Sequence, residues 1–368
     1  MQKNNHLNNR AKAHLFPYQW NLSDIKRPDK GTVFSCFSCG GGSSMGYKLA
    51  GFEVIGCCES DKRVMGAYTH NLSPRFSYCE PIQTFRLRDD LPAELYNLDI
   101  LDGSPPCTPF SMAGVREKYW GKERVFSEGG VKQVLDTLFF EFIALAKRLQ
   151  PKVVVAENVK GLLLGKACEY VNRIYHEFDD AGYVVRHYLL NAAKMGVPQR
   201  RERVFFIAIR KDIDCNFPLL SLSLDFNEQT ILPKEFIDCS GDEITSDVMR
   251  TLWEHREYGD RNQSEASKRL NGSKKCFSQV YIYPNKVCPT LQADRTSLIH
   301  FNAPRFLSVR ELKCISSFPQ DYDFAGVNPW YVCGMSVPPV MMAQVATRIY
   351  TRLLAPNSVR NKECNETH

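Results

Sequence analysis

The sequence predicts an α/β fold: an open sheet with helices packed against it, and a smaller domain inserted late in the chain. Two observations support this. Segments typical of strands and helices alternate from residue 31 to about residue 210. The composition then changes over residues 211–300, and regular patterns return after residue 300. We therefore expect an N-terminal arm at 1–30, a main domain formed by 31–210 and 301–368, and an inserted domain at 211–300.

The composition is typical of a globular protein. The 368 residues are 43% hydrophobic and 24% charged, and can bury a large core. No apolar run approaches membrane-spanning length, and the polar first thirty residues lack a signal-peptide core. Fourteen scattered cysteines favour free thiols in a reducing cytoplasm. We expect a cytoplasmic protein with no membrane association, whose net charge of +6 permits a polyanionic partner without requiring one.

A glycine turn follows the first predicted strand. Thr32–Phe37 is β-prone, Gly40–Gly42 forms the turn, and Ser43–Ser44 can cap a short helix. Phe52–Cys58 is the second strand, with Glu59 just beyond it. This is the mononucleotide-binding arrangement of Rossmann-like sheets, in which glycines admit the cofactor and an acid binds ribose hydroxyls. A plain βαβ turn with an exposed glutamate is the alternative.

Cysteine spacing also raises the question of a zinc site, because Cys36-x-x-Cys39 precedes Cys57-Cys58. Structural zinc needs four ligands that converge from turns. The second pair is adjacent and lies inside an apolar strand, so we expect no metal.

The segment Asp99–Ser111 contains a second candidate site. An apolar strand runs into Asp102-Gly103, and two prolines then stiffen the loop that presents Cys107 beyond the strand's carboxyl end. Open α/β sheets gather their chemistry at that edge. A thiol held out on a stiff loop suggests a nucleophile, while a half-buried structural cysteine is the alternative.

Two further motifs lie at the same edge. A polar segment at 114–130 could be a flap, and a helix is predicted at 133–150. The buried strand that follows ends in Glu157-Asn158. Glu157 is a plausible proton donor or a structural carboxylate. Next come strands at 183–190 and 203–209, with Arg201 and Arg203 on one face of the second. Two guanidiniums suit a phosphate or a base edge, and a surface ion-pair ladder is the alternative.

The predicted inserted domain has two halves of opposite charge. Residues 212–247 contain nine acids and one lysine, whereas residues 266–290 contain five basic residues and no acid. The basic half carries three aromatic residues and could face a polyanion, or it could be an ordinary solvated surface. Beyond it, Ser308-Val-Arg-Glu311 predicts a capping box for a helix at 309–317, and a proline-initiated helix is expected at 339–354.

The order of these motifs resembles the C5-cytosine DNA methyltransferase family. The glycine turn, the acid after the second strand, Pro-Pro-Cys, Glu-Asn-Val and Gln-x-Arg-x-Arg are followed by a variable insert and then Ser-Val-Pro-Pro. The resemblance covers 31–210 and 300–355. It implies a Rossmann-like S-adenosylmethionine-dependent sheet with a target-recognition domain at 211–300, acting on duplex DNA. It also implies a monomer, with a cognate restriction endonuclease as a possible partner.

The resemblance assigns roles to individual residues. The catalytic residues it implies are Cys107 as nucleophile, Glu157 at cytosine N3, Arg203 at cytosine O2 and Arg201 as its partner. The S-adenosylmethionine site would comprise Phe37, Ser38, Gly40, Gly41, Gly42, Glu59, Ser60, Ile82, Ser104, Pro106, Ser336 and Val337. Contacts to DNA would come from Gln199, Lys274, Lys275 and Thr290.

Four residues depart from the pattern of the family, all of them at the cofactor pocket. Ser35 and Pro81 stand where aspartate is common, Cys39 where glycine is common, and Met335 where asparagine is common. Two further hypotheses are a tRNA-methylating member of the family and a DNA-binding relative that no longer holds its cofactor.

Overall fold

The computed structural model describes residues 14–106, 137–164, 167–214 and 219–355, and the backbone of residues 123–124 and 133–134. The strands are β1 (Thr32–Cys36), β2 (Glu53–Cys58), β3 (Phe76–Tyr78), β4 (Ile100–Gly103), β5 (Glu123–Arg124), β6 (Gln133–Val134), β7 (Val153–Val159), β8 (Tyr183–Asn191), β9 (Glu202–Arg210), β10 (Val280–Ile282) and β11 (Leu298–His300). The helices are α1 (Gly42–Leu49), α2 (Lys62–Leu72), α3 (Ile82–Phe85), α4 (Leu138–Leu149), α5 (Ala167–Asp180), α6 (Lys211–Asp214), α7 (Asp247–Glu254), α8 (Gln263–Asn271), α9 (Val309–Ser316), α10 (Pro329–Met335) and α11 (Pro339–Ile349).

A seven-stranded sheet with the order β3-β2-β1-β4-β7-β9-β8 forms the centre of the molecule. Neighbouring strands are parallel from β3 to β7, and β9 is antiparallel to both β7 and β8. The predicted α/β fold is confirmed. Because the parallel strands enter the same edge, the ends of β1, β4 and β7 lie side by side, and residues that follow them share one site.

Both faces of the sheet are covered, which explains the unbroken apolar run of β7. Val154 and Ala156 pack on one face with α4 and α5, whereas Val153 and Val155 pack on the other with α1 and α11. A strand buried on both sides has no polar face, so period-2 alternation is absent from its sequence. This packing fixes the position of the residues that follow Ala156.

Helix boundaries agree with the sequence at the C-terminal end of the chain and differ before β7. Ser308 Oγ accepts from Glu311 N at 3.1 Å and Glu311 Oε2 accepts from Ser308 N at 2.9 Å, so the predicted capping box of α9 is confirmed. Helix α11 begins at Pro339, as predicted. The helix predicted from 133 begins instead at Leu138, because the backbone at 133–134 pairs with 123–124 and the apolar face starts only at Leu138.

Residues 14–30 are irregular and pack against the C-terminal part of the chain. Trp20 is buried and donates from its indole nitrogen to Ser317 O at 2.9 Å. The backbone amides of Leu22 and Ser23 donate to the carboxylate of Asp321. This part of the predicted arm is therefore attached to the body of the protein. Residues 1–13 lie outside the described part of the chain.

The predicted inserted segment has a small core of its own. Tyr281 and Tyr283, on or just after β10, pack with Ile244, Ile299 and Phe306. Strands β10 and β11 form a short parallel pair. Other residues of the segment, including Leu291 and Leu298, join a second core that also contains α2 and α9. None of the helices that the structure describes is long and apolar enough to cross a membrane.

Candidate active site

The carboxyl edge of the sheet contains a pocket between β1, β4 and the start of α11. Half of the predicted cofactor residues line it: Phe37, Ser38, Gly42, Ser104, Ser336 and Val337. Three of the four departures from the family pattern, Ser35, Cys39 and Met335, also line it, as do Cys36, Ser43 and Asp102, for which the sequence predicted no role there. The side chains of Ser38 and Ser336 are buried, and neither hydroxyl has a hydrogen-bond partner among the described residues. Buried hydroxyls left this way are suited to receive a polar ligand.

The glycine turn is shaped by the protein's own packing. A Cβ at Gly40 would lie 2.3 Å from Val332, and one at Gly42 would lie 2.4 Å from the carbonyl oxygen of Val337. These two glycines therefore admit the C-terminal segment, not only a cofactor as the sequence suggested. Residue Phe37 adopts a left-handed φ of 53° at the end of β1. That strained conformation for a non-glycine residue is typical of functional turns.

The N-terminus of α1 differs from the prediction. The helix begins at Gly42, and neither Ser43 nor Ser44 caps it. Ser43 Oγ donates instead to Asp102 Oδ2 at 2.7 Å, and Ser44 Oγ accepts from Tyr68 at 2.8 Å. The two serines therefore connect the helix to β4 and α2.

Asp102 is the centre of a buried hydrogen-bond network. Its carboxylate accepts from Ser35 Oγ at 2.9 Å, from Ser43 Oγ at 2.7 Å and from Tyr47 at 3.3 Å. Only 1% of its surface is exposed. Burial raises the pKa of Asp102 to about 7, and the three hydroxyl donors offset this only in part. The sequence indicated only that Asp102 stands near the end of a strand, because its partners lie 55 to 67 positions away.

Glu59 holds the glycine turn in place through its carboxylate. Its carboxylate accepts from the backbone amide of Cys39 at 2.8 Å and from that of Asp61 at 2.9 Å. Burial raises the pKa of Glu59, while these amides oppose the shift. The carboxylate thus links the glycine turn to the start of α2. Its predicted contact with ribose stays a prediction.

Glu157 forms a buried ion pair at the end of β7. Its Oε1 lies 2.9 Å from Arg203 Nε, and the side chains of Glu157 and Arg203 are only 9% and 16% exposed. Burial lowers the pKa of Arg203, and the charge of Glu157 opposes the shift. Because the two charges compensate each other, this pair can remain buried beside a ligand.

Asn158 fixes the loop that leads to Cys107. Its Nδ2 donates to the carbonyl oxygen of Pro105 at 3.1 Å, and the side chain is buried. The loop after β4 is therefore tied to the end of β7, next to the ion pair. The sequence analysis left Asn158 without a role. Cys107 itself, and the predicted flap at 114–130 apart from the backbone of 123–124, lie outside the described residues.

Arg201 is used inside the fold. It is 2% exposed, and its guanidinium donates to Leu291 O at 3.3 Å and to Gly334 O at 3.0 Å. Burial, and next the charge of Arg203, lower the pKa of Arg201 to about 9. Arg201 therefore joins the sheet to Gly334 at the end of α10, close enough to Arg203 and Glu157 for their charges to act on it. Its predicted role as the partner of Arg203 at the base stays a prediction.

The four predicted DNA contacts fall in two different environments. Gln199 is 1% exposed, donates to Ile315 O and accepts from Leu291 N, so its amide is occupied within the protein and is not available to DNA. Thr290 donates to Arg200 O at 2.6 Å and is partly exposed. Lys274 and Lys275, by contrast, are fully on the surface.

An aromatic and cationic surface lies in the same segment. Tyr258 is 80% exposed, Tyr283 and Phe301 stack at 4.4 Å, and Lys286 lies over both tyrosine rings. The guanidinium of Arg256 lies 3.3 Å from the ring centroid of Trp253. The sequence predicted a basic and aromatic segment at 266–290, but this surface also includes residues outside it. The guanidinium of Arg256 lies 4.9 Å from the ring centroid of Phe301, which is 45 positions away.

The remaining predicted cofactor residues do not line the pocket. Ile82 is buried in the core beside Phe34 and Phe85. Gly40, Gly41, Glu59, Ser60 and Pro106 lie outside the pocket lining.

The arrangement of the motifs along the chain decides the family. The model of the C-5 cytosine-specific DNA methylase family matches residues 31–351, which is most of the chain. This protein belongs to that family. The DNA cytosine methyltransferase is thus an enzyme whose sheet carries the pocket described above beside β1 and β4, and the Glu157–Arg203 pair on β7 and β9.

Relatives of the methyltransferase cover nearly its whole length. The Type II methyltransferase M.FnuDI of Fusobacterium nucleatum is 29% identical over 90% of this chain and 97% of its own. The Type II methyltransferase M1.HphI of Haemophilus parahaemolyticus is 29% identical over 86% of each chain. A mutant of Spodoptera frugiperda DNMT2 has the same fold, with a TM-score of 0.61 and 15% identity over 87% of this chain and 99% of its own.

Proposed function

We propose that the protein transfers a methyl group from S-adenosylmethionine to C5 of a cytosine flipped out of duplex DNA, through a covalent bond between Cys107 and C6. The main support is the buried Glu157–Arg203 pair beside the Pro105 loop that Asn158 holds. This pair offers a carboxyl group and a guanidinium at one point, and Cys107 follows two residues after the tethered carbonyl.

The chemistry explains why these side chains are needed. C5 of cytosine is a weak nucleophile. When a thiolate adds to C6, a C–S bond forms and the electrons of the C5–C6 double bond move into the ring, towards N3 and O2. We infer that Glu157 protonates or hydrogen-bonds N3 and that Arg203 binds O2. C5 would then take the methyl group as the bond between that group and the sulfonium sulfur breaks. A base would remove the C5 proton as the Cys107 thiolate leaves C6, which restores the C5–C6 double bond and the aromatic ring.

Activation of the thiol is a small part of the catalysis. A free thiol has a pKa of about 8.5, so complete ionisation at pH 7 contributes only about 2 kcal/mol. Enzymes lower barriers by about 8 kcal/mol or more. Flipping the base costs a few kcal/mol in addition. Positioning of the ring and stabilisation of its charge by Glu157 and Arg203 must therefore supply most of the effect.

One observation of the structure supports S-adenosylmethionine as the ligand of the pocket. The unpartnered, buried hydroxyls of Ser38 and Ser336 face the same pocket, from β1 and from the segment before α11. They would hold polar groups of the cofactor, together with Phe37, Ser104 and Val337. Glu59 and Ser60 would lie towards the ribose, Ile82 towards the adenine, and Gly40, Gly41, Gly42 and Pro106 would shape the walls. When bound, the cofactor supplies an electrophilic methyl group on a sulfonium.

We infer that the DNA-binding face includes Lys274, Lys275 and the aromatic surface at Tyr258. Lysines neutralise phosphates, and an exposed aromatic ring can contact bases. Reversing the charge at Lys274 and Lys275 should lower DNA affinity and reduce its salt dependence. The matched control reverses Lys26 and Arg27, two exposed residues before β1. An unchanged salt slope in the test variant would place the DNA elsewhere.

The proposed activity is tested by transfer of a tritiated methyl group to duplex DNA, with tRNA as the competing substrate. We expect label in the DNA at cytosine C5, and loss of more than 99% of it in Cys107→Ser with DNA binding retained. Cys168→Ser, at an exposed cysteine, is the control and should keep full activity. Label in tRNA alone, or near-normal transfer by Cys107→Ser, would contradict the proposal.

The Type II names of the relatives support a role in restriction and modification, with a cognate endonuclease that acts on the same sequence. Bisulfite sequencing of DNA from a host that expresses the protein would reveal the methylated sequence. We expect that DNA to resist cleavage by a restriction endonuclease that recognises the methylated sequence.

A further inference from the structure

The cofactor pocket contains one carboxylate in an unusual position. Among the described residues that line the pocket, Asp102 is the only one with an ionisable carboxyl group. It lies on β4, whereas the family usually carries an aspartate at the position of Ser35 on β1. The two positions are register partners in neighbouring parallel strands. Their side chains therefore point to the same face of the sheet and are joined by the 2.9 Å hydrogen bond from Ser35 Oγ.

The donors to Asp102 come from both sides of the glycine turn. Ser35 precedes the turn on β1, and Ser43 and Tyr47 follow it in the first two turns of α1. One carboxylate thus fixes the strand and the helix between which Gly40–Gly42 runs. Within the described part of the chain, Oδ2 accepts two short hydrogen bonds, while Oδ1 accepts only the longer one from Tyr47. Oδ1 therefore retains capacity to accept a further hydrogen bond.

Fold stability alone does not favour a carboxylate here. Among the described residues, no cationic side chain lies within ion-pair distance of Asp102, and all its donors are neutral hydroxyls. Ionising a buried carboxyl without a cationic partner is costly, which agrees with its raised pKa. Buried ionisable groups with such shifted pKa values cluster at functional sites. S-adenosylmethionine carries a sulfonium, an ammonium and one carboxylate, so it is a net cation that a buried negative charge attracts.

We propose that Asp102 is the positioning carboxylate of the cofactor pocket: from β4 it supplies a negative charge to the pocket, and it holds β1 and α1 in the geometry that binds S-adenosylmethionine. This inference rests on the proposed cofactor. In this chain the carboxylate stands on β4, in register with Ser35 on the neighbouring strand β1.

The test measures S-adenosylmethionine affinity by isothermal titration calorimetry on the full chain, with no turnover required. We expect Asp102→Asn to weaken binding at least tenfold at pH 8. The exchange variant, Ser35→Asp with Asp102→Ser, returns the carboxylate to β1 and should recover affinity to within about threefold of wild type. Ser43→Ala, which removes one donor and keeps the charge, should weaken binding about threefold.

Asp99→Asn is the matched control. Asp99 also bridges to β1, through Thr32 N at 2.8 Å, but lies before β4 at the opposite end from the pocket. It should leave affinity for S-adenosylmethionine unchanged. The melting temperature of each variant and its affinity for DNA separate positioning from general damage, since Asp102→Asn should not lower either one.

Each outcome decides a different question. If the wild-type protein binds no S-adenosylmethionine, the proposed function fails. If it binds and Asp102→Asn binds equally well, the role of Asp102 is overturned. The inference is also overturned if the exchange variant folds but binds no better than Asp102→Asn. If Asp102→Asn does not fold, two other variants decide the question. Undiminished binding of S-adenosylmethionine by Ser43→Ala and by the single variant Ser35→Asp would then overturn the inference as well.

Discussion

Two buried carboxylates lie at the same edge of the sheet, and their partners differ in kind. Glu157, at the end of β7, is paired with the guanidinium of Arg203. Asp102, on the neighbouring strand β4, is surrounded by the neutral hydroxyls of Ser35, Ser43 and Tyr47. One carboxylate has a fixed cation beside it, whereas the other has only dipoles. Its full electrostatic partner would arrive with the ligand.

The comparison shows how one sheet separates two tasks. The Glu157–Arg203 pair is complete in the protein alone and can act on the charge that develops in the base. The Asp102 network is incomplete and responds to a cationic ligand. Environment, rather than the type of side chain, sets the role of each carboxylate. The two sites should therefore respond to mutation in different measurements: turnover for Glu157 and cofactor affinity for Asp102.

The largest expected effect that separates the two sites is that of Glu157→Gln. The amide can still contact Arg203 but cannot transfer a proton to N3, so kcat should fall about 100-fold. The affinity for S-adenosylmethionine should change less than threefold. Glu202→Gln is the control, because Glu202 pairs with the half-exposed Lys160 and should keep its turnover. Loss of cofactor affinity in Glu157→Gln with intact kcat would reverse the proposed division of roles.

A smaller effect is the pH dependence of cofactor binding. If the ionised form of Asp102 binds S-adenosylmethionine, affinity should fall about tenfold between pH 8 and pH 6, as the carboxyl becomes protonated below its pKa of about 7. The phenols of Tyr47 and Tyr68 and the thiol of Cys36 do not titrate in this range, because burial raises their pKa values well above it. The charge of Glu157 contributes to the raised pKa of Asp102.

Calorimetric titrations at several pH values measure this dependence, and Asp102→Asn controls for protonation of the ligand itself. The slope should be steeper in the wild type than in the variant. Equal slopes would show that Asp102 does not contribute.

The smallest effect concerns stability. The pKa of Asp102 is higher in the folded protein than in the unfolded chain, where it is about 3.9. The folded state therefore loses stability relative to the unfolded state as pH rises from about 4 to about 7. Asp102→Asn removes this loss, so its melting temperature should exceed that of the wild type by about 2 °C or more at pH 8 and converge with it near pH 4. A lower melting temperature at pH 8 would assign Asp102 to the fold alone.

The sequence predicted the fold and the order of the site motifs because both depend on local patterns. The apolar run of β7, the glycine turn and the capping box at Ser308 are each visible within about ten residues. The start of α4 was predicted at 133 rather than 138, because the mixed sequence of residues 133–137 allows a helix as well as the short strand that forms at 133–134.

The side-chain partners could not be predicted in the same way. Arg201 contacts residues 90 and 133 positions away, and Asp102 contacts Ser35 from 67 positions away. Alternation along β9 placed Arg201 and Arg203 together, but only the packed structure shows that Arg201 is engaged by backbone carbonyls. The available signal for Asp102 was Ser35, which stands where the resemblance implies an aspartate. This signal points to Asp102 only once β1 and β4 are known to pair in register.

The central claim is that the sulfur of Cys107 bonds to a cytosine ring. Duplex DNA that carries 5-fluorocytosine at the methylated position, incubated with the protein and S-adenosylmethionine, tests it directly, because fluorine at C5 prevents release of the sulfur. We expect a stable protein–DNA adduct that peptide mass spectrometry maps to Cys107 and that Cys107→Ser abolishes. Stable occupancy of that site without any adduct, or an adduct at another residue, would contradict the account.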